Sequence, residues 1–256
     1  MPQLELWLNA LPLLLGAAAI TWVISVLKRN VTIVDTLWSL LFVLAAVVYA
    51  GSVETPGLRA WLVLALVSIW GLRLAAYLAW RNRGHEEDRR YQAIRRRNEP
   101  NFALKSLWLI FGFQAVLAWV ISLPLAGAVA GEAPLGALDA LGLALWALGL
   151  YFEAVGDWQL ARFKGDPANA GRVMDRGLWR YTRHPNYFGD FCVWWGLYLI
   201  ALSAGAWWSI VGPLIMSFLL LRFSGVRLLE RDIGERRPQY AEYVRRTNAF
   251  FPGPRR

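Results

Sequence analysis

The chain has 256 residues, 57% hydrophobic and 18% charged, with a formal net charge of +9. Its mean hydropathy of +0.37 and many aromatics exclude a disordered or fibrous chain. One cysteine, Cys192, and two histidines exclude a disulfide scaffold and a cysteine-based structural zinc site. The positive charge reads as the Arg- and Lys-rich cytoplasmic loops of a membrane protein, with no nucleic-acid partner.

A transmembrane helix needs ~20 mainly apolar residues. Such stretches are predicted over 5–27, 31–50, 58–80, 106–130 and 135–156. A further apolar region, 187–222, is too long for one crossing. The small residues Ser203-Ala204-Gly205-Ala206 split it into spans 187–203 and 206–222. The expected fold is an all-α integral membrane protein with seven transmembrane helices and one membrane domain over 1–256. The first span is not a cleavable signal, because Lys28 and Arg29 follow its apolar run. Segments 28–30, 81–105, 157–186 and 222–256 hold 25 of the 27 Lys and Arg. The connections 51–57, 131–134 and 203–206 hold none. The N-terminus is therefore expected outside and the C-terminus in the cytoplasm.

The charged stretch 85–97 is predicted as a helix at the lipid headgroups. Charges inside spans are costly and mark functional sites. Here they are Asp35, Arg73, Asp139, Glu153, Asp157, Asp190 and Arg222. Asp139 is expected at a solvated outer end. The others lie toward the cytoplasmic ends of their spans, which implies a polar cavity opening to the cytoplasm. Glu153 and Asp157, four apart, share one helical face. Two such carboxylates repel unless cations or donors sit between them.

Residues 157–190 concentrate Asp157, Arg162, Lys164, Arg172, Tyr181, Arg183, His184, Asn186, Tyr187 and Asp190. The tail adds Arg222, Arg227, Glu230, Tyr240, Tyr243, Arg245 and Arg246. Arginine forks suit phosphates, so this reads as a cytoplasmic site for a phosphorylated, nucleotide-like molecule. Positive-inside topology alone would also enrich arginine there. Neither G-x-G-x-x-G nor G-x-x-x-x-G-K-[ST] occurs, so a cofactor would be held by membrane helices. No metal site is expected from two distant histidines.

The run Gly177-Leu-Trp-Arg-Tyr-Thr-Arg-His-Pro-Asn-Tyr-Phe-Gly-Asp190 resembles the C-terminal region of the steroid 5α-reductase family. Leu228-Leu-Glu230, Arg237-Pro-Gln-Tyr240-Ala-Glu-Tyr243 and Phe251-Pro252 fit as well, so the resemblance covers 145–252. The chain looks like a bacterial homologue of that family. The resemblance implies NADPH-dependent reduction of the Δ4 bond of a 3-oxo-steroid, hydride going to C5 and a proton to C4. The family's carbonyl-polarising Gln-Glu pair and Tyr match Val34-Asp35 and Trp70, so Asp35 and Trp70 are the catalytic candidates. The resemblance assigns NADPH to Arg73, Glu153, Asp157, Lys164, Arg172, Tyr181, His184, Asn186, Tyr187, Asp190, Arg222, Arg227 and Glu230. A monomer is expected, in the inner membrane if the source is a bacterium, and the charge distribution puts its active site on the cytoplasmic side. Its partners would be membrane lipids and a steroid or other lipidic enone. Isoprenylcysteine carboxyl and phospholipid methyltransferases carry a similar Arg-His-Pro-x-Tyr run. An S-adenosylmethionine-dependent methyltransferase acting on a lipid is therefore the alternative.

Overall fold

A computed structural model describes residues 2–223 and 239–255, and every regular element among them is helical. Five stretches are long and apolar enough to cross a membrane: Leu4–Lys28, Ile33–Gly51, Leu58–Asn82, Phe102–Ile121 and Ala137–Gly165. Two further helices, Pro185–Ser203 and the shorter Trp207–Arg222, fill the region expected to hold two spans. By length and composition the chain is a multi-pass membrane protein. Many large apolar side chains, among them Leu27, Leu58, Trp61 and Trp80, face outward, as lipid contact requires. The chain forms two compact units. The first comprises 1–135 and 201–209, the second 136–200 and 210–256.

The first unit holds α1 (Pro2–Lys28), α2 (Ile33–Gly51), α3 (Leu58–Asn82) and α4 (Arg89–Asn98). These are followed by α5 (Phe102–Ile121) and α6 (Leu123–Val129). Helix α2 packs against both α1 and α3. Its contact with α3 is close at Gly71, where a Cβ would stand 2.6 Å from Val43 Cγ2 and 3.0 Å from the Ser39 carbonyl oxygen. Arg29 ends α1 in a left-handed conformation, φ 52°, and the Asn30 N–H donates back to the Ser25 carbonyl at 3.0 Å. Gly205, φ +80°, makes the same stop after Ser203, with the Ala206 N–H donating to the Ala201 carbonyl at 3.0 Å. Glycine adopts this conformation without steric cost, so the turn forms where the small residues predicted it.

The apolar stretch 106–130 is not one helix. It breaks at Ser122, and Pro124 begins α6 because a proline ring fits only a helix's first turn. The Tyr49 hydroxyl donates to Ser122 Oγ at 2.7 Å, and Ser122 Oγ donates to the Trp119 carbonyl at 2.7 Å. Trp7 and Trp119 stack with ring centroids 3.7 Å apart. Each indole N–H donates to the other residue's carbonyl at 2.9 Å, which ties α1 to α5. Arg59, 2% exposed, donates to the Ala133 carbonyl at 2.7 Å and the Pro134 carbonyl at 3.0 Å.

The second unit holds α7 (Ala137–Gly165), α8 (Pro185–Ser203, residues 201–203 belonging to the first unit) and α9 (Trp207–Arg222, from residue 210). It ends in α10 (Tyr240–Arg246) and an extended tail. Gly142, Gly149 and Gly156, seven apart on α7, face Gly196, Gly189 and the Pro185–Asn186 turn of α8. Missing side chains let the two backbones touch, the packing that small residues give membrane helices. Asp139 is not at a solvated end as expected. It is 3% exposed and accepts the Gly136 N–H at 2.8 Å, so it caps the start of α7.

Candidate functional site

In the first unit the polar centre is Asp35, in the first turn of α2. The Tyr91 hydroxyl donates to its Oδ1 at 2.5 Å, and Arg90 Nη2 donates to its Oδ2 at 2.9 Å. Tyr91 is 6% exposed, and the Gln114 side-chain amide also bonds its hydroxyl. Gln114 follows a π-helical turn over Leu107–Gly112, which rephases α5. Three helices, α2, α4 and α5, thus bring an acid, a phenol and an amide together. Burial first, and then the Asp35 carboxylate, push the Tyr91 phenol far above its ordinary range. It therefore stays a hydrogen-bond donor at any physiological pH. Burial works against the Arg90 charge, but Asp35 and Asp88 outweigh it and hold Arg90 cationic.

The 85–97 stretch is more than a headgroup helix. Asp88 caps α4 through the Arg90 N–H at 2.8 Å, and its own N–H donates to Thr32 Oγ1 at 2.8 Å. Glu87 accepts the Val31 N–H at 3.0 Å and a two-pronged Arg95 contact at 2.7 and 2.9 Å. Glu87, Arg90 and Tyr91 on one side and Thr32 and Asp35 on the other therefore latch α4 over the start of α2, and the exposed face keeps Arg89, Arg96 and Arg97. Burial raises the Glu87 and Asp88 pKa values, but Arg95 with the Val31 N–H, and Arg90, outweigh it and leave both lowered. A lowered folded pKa contributes stability that is present above the unfolded value of ~4 and lost as pH falls through the folded value. The melting temperature of detergent-solubilised protein is expected to fall on acidification below about pH 4. Glu87→Gln should lower it at neutral pH and flatten that acid limb. An unchanged acid limb in Glu87→Gln would remove Glu87 from the latch.

Trp70, fully buried on α3, lies against Phe42 with ring centroids 5.9 Å apart. Arg73, one turn further along α3, is half-buried in the same unit.

In the second unit, Glu153 and Asp157 are buried on α7, 3% and 5% exposed. Asn186, at the start of α8, donates its amide to Asp157 Oδ1 at 3.1 Å, and its Oδ1 accepts the Tyr187 N–H at 3.1 Å. Asp190 follows one turn later, half-buried. His184, 4% exposed, stacks on Tyr187 with ring centroids 5.6 Å apart. The sequence candidates Glu153, Asp157, His184, Asn186, Tyr187 and Asp190 therefore gather around the Gly156–Pro185 contact. Lys164, Arg172 and Arg222 are exposed, and Arg172 lines a cleft of about 270 Å³ beside α10. Arg227 and Glu230 lie outside the described residues. Among the described residues no group of three or more His, Cys, Asp or Glu is placed to hold a metal.

Part of the motif segment serves the fold. Arg183 Nη1 donates to the Thr247 carbonyl at 2.8 Å and the Val244 carbonyl at 3.3 Å, so its charge closes the C-terminal end of α10. The Tyr243 hydroxyl donates to the Trp179 carbonyl at 2.6 Å, and Thr182 Oγ1 donates to the Phe250 carbonyl at 2.7 Å. The exposed Tyr181 takes the Gly253 N–H on its carbonyl at 3.1 Å. The tail is thereby sewn to the loop that sets the first turn of α8.

Sequence reasoning missed Arg90, Tyr91 and Gln114. Gln114 was visible as an uncharged polar residue inside an apolar run, which a count of ionisable groups passes over.

The chain is similar to an uncharacterized protein of Schizosaccharomyces pombe, 27% identical over 91% of this chain and 76% of that protein. No solved structure matches. The family model described as a protein of unknown function, DUF1295, matches residues 21–247, nearly the whole of both units, and the chain belongs to that family.

Proposed function

We propose that the protein is an NADPH-dependent reductase of a lipidic enone, reducing the Δ4 bond of a 3-oxo-steroid or of an isoprenoid with the same conjugated carbonyl. In this reading the chain crosses the membrane seven times, with the N-terminus outside and the site open to the cytoplasm. The observation that carries it is the pairing of the buried Tyr91 phenol with the half-buried Asp35, braced by Gln114 and Arg90. The membership of steroid 5α-reductase-like proteins in the same family supports it.

The residues of the second unit fit NADPH by their chemistry. Buried Glu153 and Asp157 offer acceptors for ribose hydroxyls and for a carboxamide N–H. Asn186, already oriented by Asp157, offers an amide for the nicotinamide carboxamide. Lys164 and Arg172 supply exposed cations for phosphates. NADPH, when bound, supplies a hydride to C5 of the enone. As that C–H bond forms, the π pair of C4=C5 moves toward C3, and charge develops on the C3 oxygen. Tyr91 would give that oxygen the O–H it now gives Asp35, and Arg90 would balance the Asp35 charge left behind. A donor at that oxygen stabilises charge that develops in the transition state. A proton from cytoplasmic water, taken up at C4, completes the reduction and leaves NADP+ as the oxidised product.

The test is NADPH oxidation by detergent-purified protein with and without progesterone or testosterone, followed by loss of NADPH absorbance. Steroid-dependent oxidation is expected. Thermal stabilisation by S-adenosylmethionine and none by NADPH would move the protein to the methyltransferases.

A further inference from the structure

We propose that the outward face of α4 is a docking surface for anionic membrane lipids, and that lipid bound there holds Tyr91 over Asp35. The docking surface stands by itself. Its effect on turnover rests on the reading of Tyr91 as the donor given above.

The two faces of α4 differ. Arg89, Arg96 and Arg97, seven and eight residues apart, share one side of the helix, and all three are exposed. Tyr91 and Arg95 lie on the opposite side, Tyr91 reaching Asp35 and Arg95 held to Glu87. Arg95 also covers the ring of the buried Phe102 at 4.3 Å. The five arginines of α4 therefore divide. Arg90 and Arg95 are paired with carboxylates, whereas Arg89, Arg96 and Arg97 make no ion pair among the described residues. Glu86 and Glu99, the exposed acids nearest in sequence, flank the helix, and the Glu99 charge acts on Arg95. The outward face is thus cationic with no acid of its own.

That face lies where a membrane surface would be. Glu87 accepts the Val31 N–H, and the Asp88 N–H donates to Thr32, which fixes α4 at the turn between α1 and α2. The Trp22 indole donates to the Ala103 carbonyl at 2.8 Å and ties α1 to the start of α5 at the same end. Around this end Leu27, Trp80, Leu104 and Trp108 are all more than half exposed. Lys28 and Arg29 at the end of α1, and Arg83 after α3, are exposed too and extend the positive charge. Tryptophan and leucine beside a basic face suit the boundary of a bilayer, where apolar side chains enter the acyl region and guanidinium forks meet phosphates. Each arginine near an anionic leaflet contributes about a fivefold factor, so three contribute about a hundredfold. A zwitterionic surface lacks that attraction. Because Tyr91 rides on the same helix, lipid that holds the outward face also holds the phenol at Asp35.

The test is hydrogen exchange of the 89–98 amides in full-length protein, in nanodiscs of phosphatidylcholine alone or with added phosphatidylglycerol. Phosphatidylglycerol is expected to slow exchange by about tenfold or more, and high salt to abolish the slowing. The double variant Arg96→Gln/Arg97→Gln should lose the slowing yet exchange like wild type in phosphatidylcholine, since its inward contacts are intact. Arg96→Lys/Arg97→Lys should keep most of it. Equal exchange in the two lipids, or slowing that survives the glutamine substitutions, overturns the docking surface. So does equal slowing by inorganic phosphate in phosphatidylcholine, which would make the face a small-anion site. NADPH oxidation with an enone in the same nanodiscs tests the coupling. Phosphatidylglycerol should raise it severalfold in the wild type and not in the glutamine variant. Turnover indifferent to phosphatidylglycerol while α4 is protected by it would overturn the hold on Tyr91. Lipid-dependent protection with no turnover in any nanodisc would keep the docking surface and sink the reductase reading. Turnover with no lipid dependence of α4 exchange would do the reverse.

Discussion

Tyr91→Phe is expected to leave NADPH affinity unchanged and to lower kcat by about a hundredfold or more, the cost of losing one donor to a developing oxyanion. The substitution keeps the buried ring but takes the phenol from Asp35 Oδ1 and Gln114, so a stability loss of about 1–3 kcal/mol accompanies it. Its effect belongs in kcat because the donor is needed most when charge reaches the carbonyl oxygen. Asp35→Ala should also abolish turnover while retaining NADPH binding. Its stability cost should be larger, because Arg90 would be left without the partner at 2.9 Å. Trp70→Phe discriminates the two candidate donors. The indole is fully buried against Phe42, so its loss should act on packing and on KM. A kcat loss in Trp70→Phe equal to that in Tyr91→Phe would return the donor role to the indole. Full turnover in Tyr91→Phe would remove the phenol from the mechanism.

That outcome bears on how much of the site was legible in the sequence. The apolar helices were, because a run of some twenty apolar residues has little other use. The break between α8 and α9 was legible too, since Gly205 sits where a left-handed turn must form. Charge count did less well. It found Asp35 but not its partners, because Arg90 and Tyr91 lie in a stretch whose composition reads equally as a solvated helix. Only the fold shows Glu87 and Asp88 fastening that stretch to Val31 and Thr32. The Arg-His-Pro run divided in a way spacing does not reveal. Arg183 closes a helix end, whereas Asn186, three residues on, reaches Asp157. A guanidinium aimed at carbonyls and one aimed at phosphates look alike in sequence. The seven-residue glycine spacing on α7 was readable in principle, but it gains meaning only when Gly189 and Gly196 are seen to face it.

That spacing carries the second large effect. Gly189→Ala is expected to lower both thermal stability and NADPH affinity, the latter by about tenfold or more. A Cβ on Gly189 would stand 2.5 Å from the Gly149 carbonyl oxygen and 2.7 Å from Glu153 Cβ. One on Gly149 would stand 2.5 Å from the Gly189 carbonyl oxygen and 2.6 Å from the Val193 nitrogen. Most of these neighbours are backbone atoms, so no rotamer change relieves the clash and the helices must move apart. Overpacking of this kind costs ~1–3 kcal/mol. The movement falls on the site itself, because Glu153 and Asp157 ride on α7 while Asn186 and Asp190 ride on α8. The Asn186–Asp157 bond of 3.1 Å has little room to lengthen before it is lost. A tenfold loss of affinity corresponds to ~1.4 kcal/mol, within what one such bond to a charged group contributes. Gly165→Ala is the control, at the end of the same helix with no atom within 4 Å of an added Cβ, and it should be silent in both measurements. If Gly189→Ala lowered the melting temperature but bound NADPH as tightly as the wild type, the α7–α8 contact would be a packing device only. The carboxylate–amide pair beside it would then lose its place in the cofactor site.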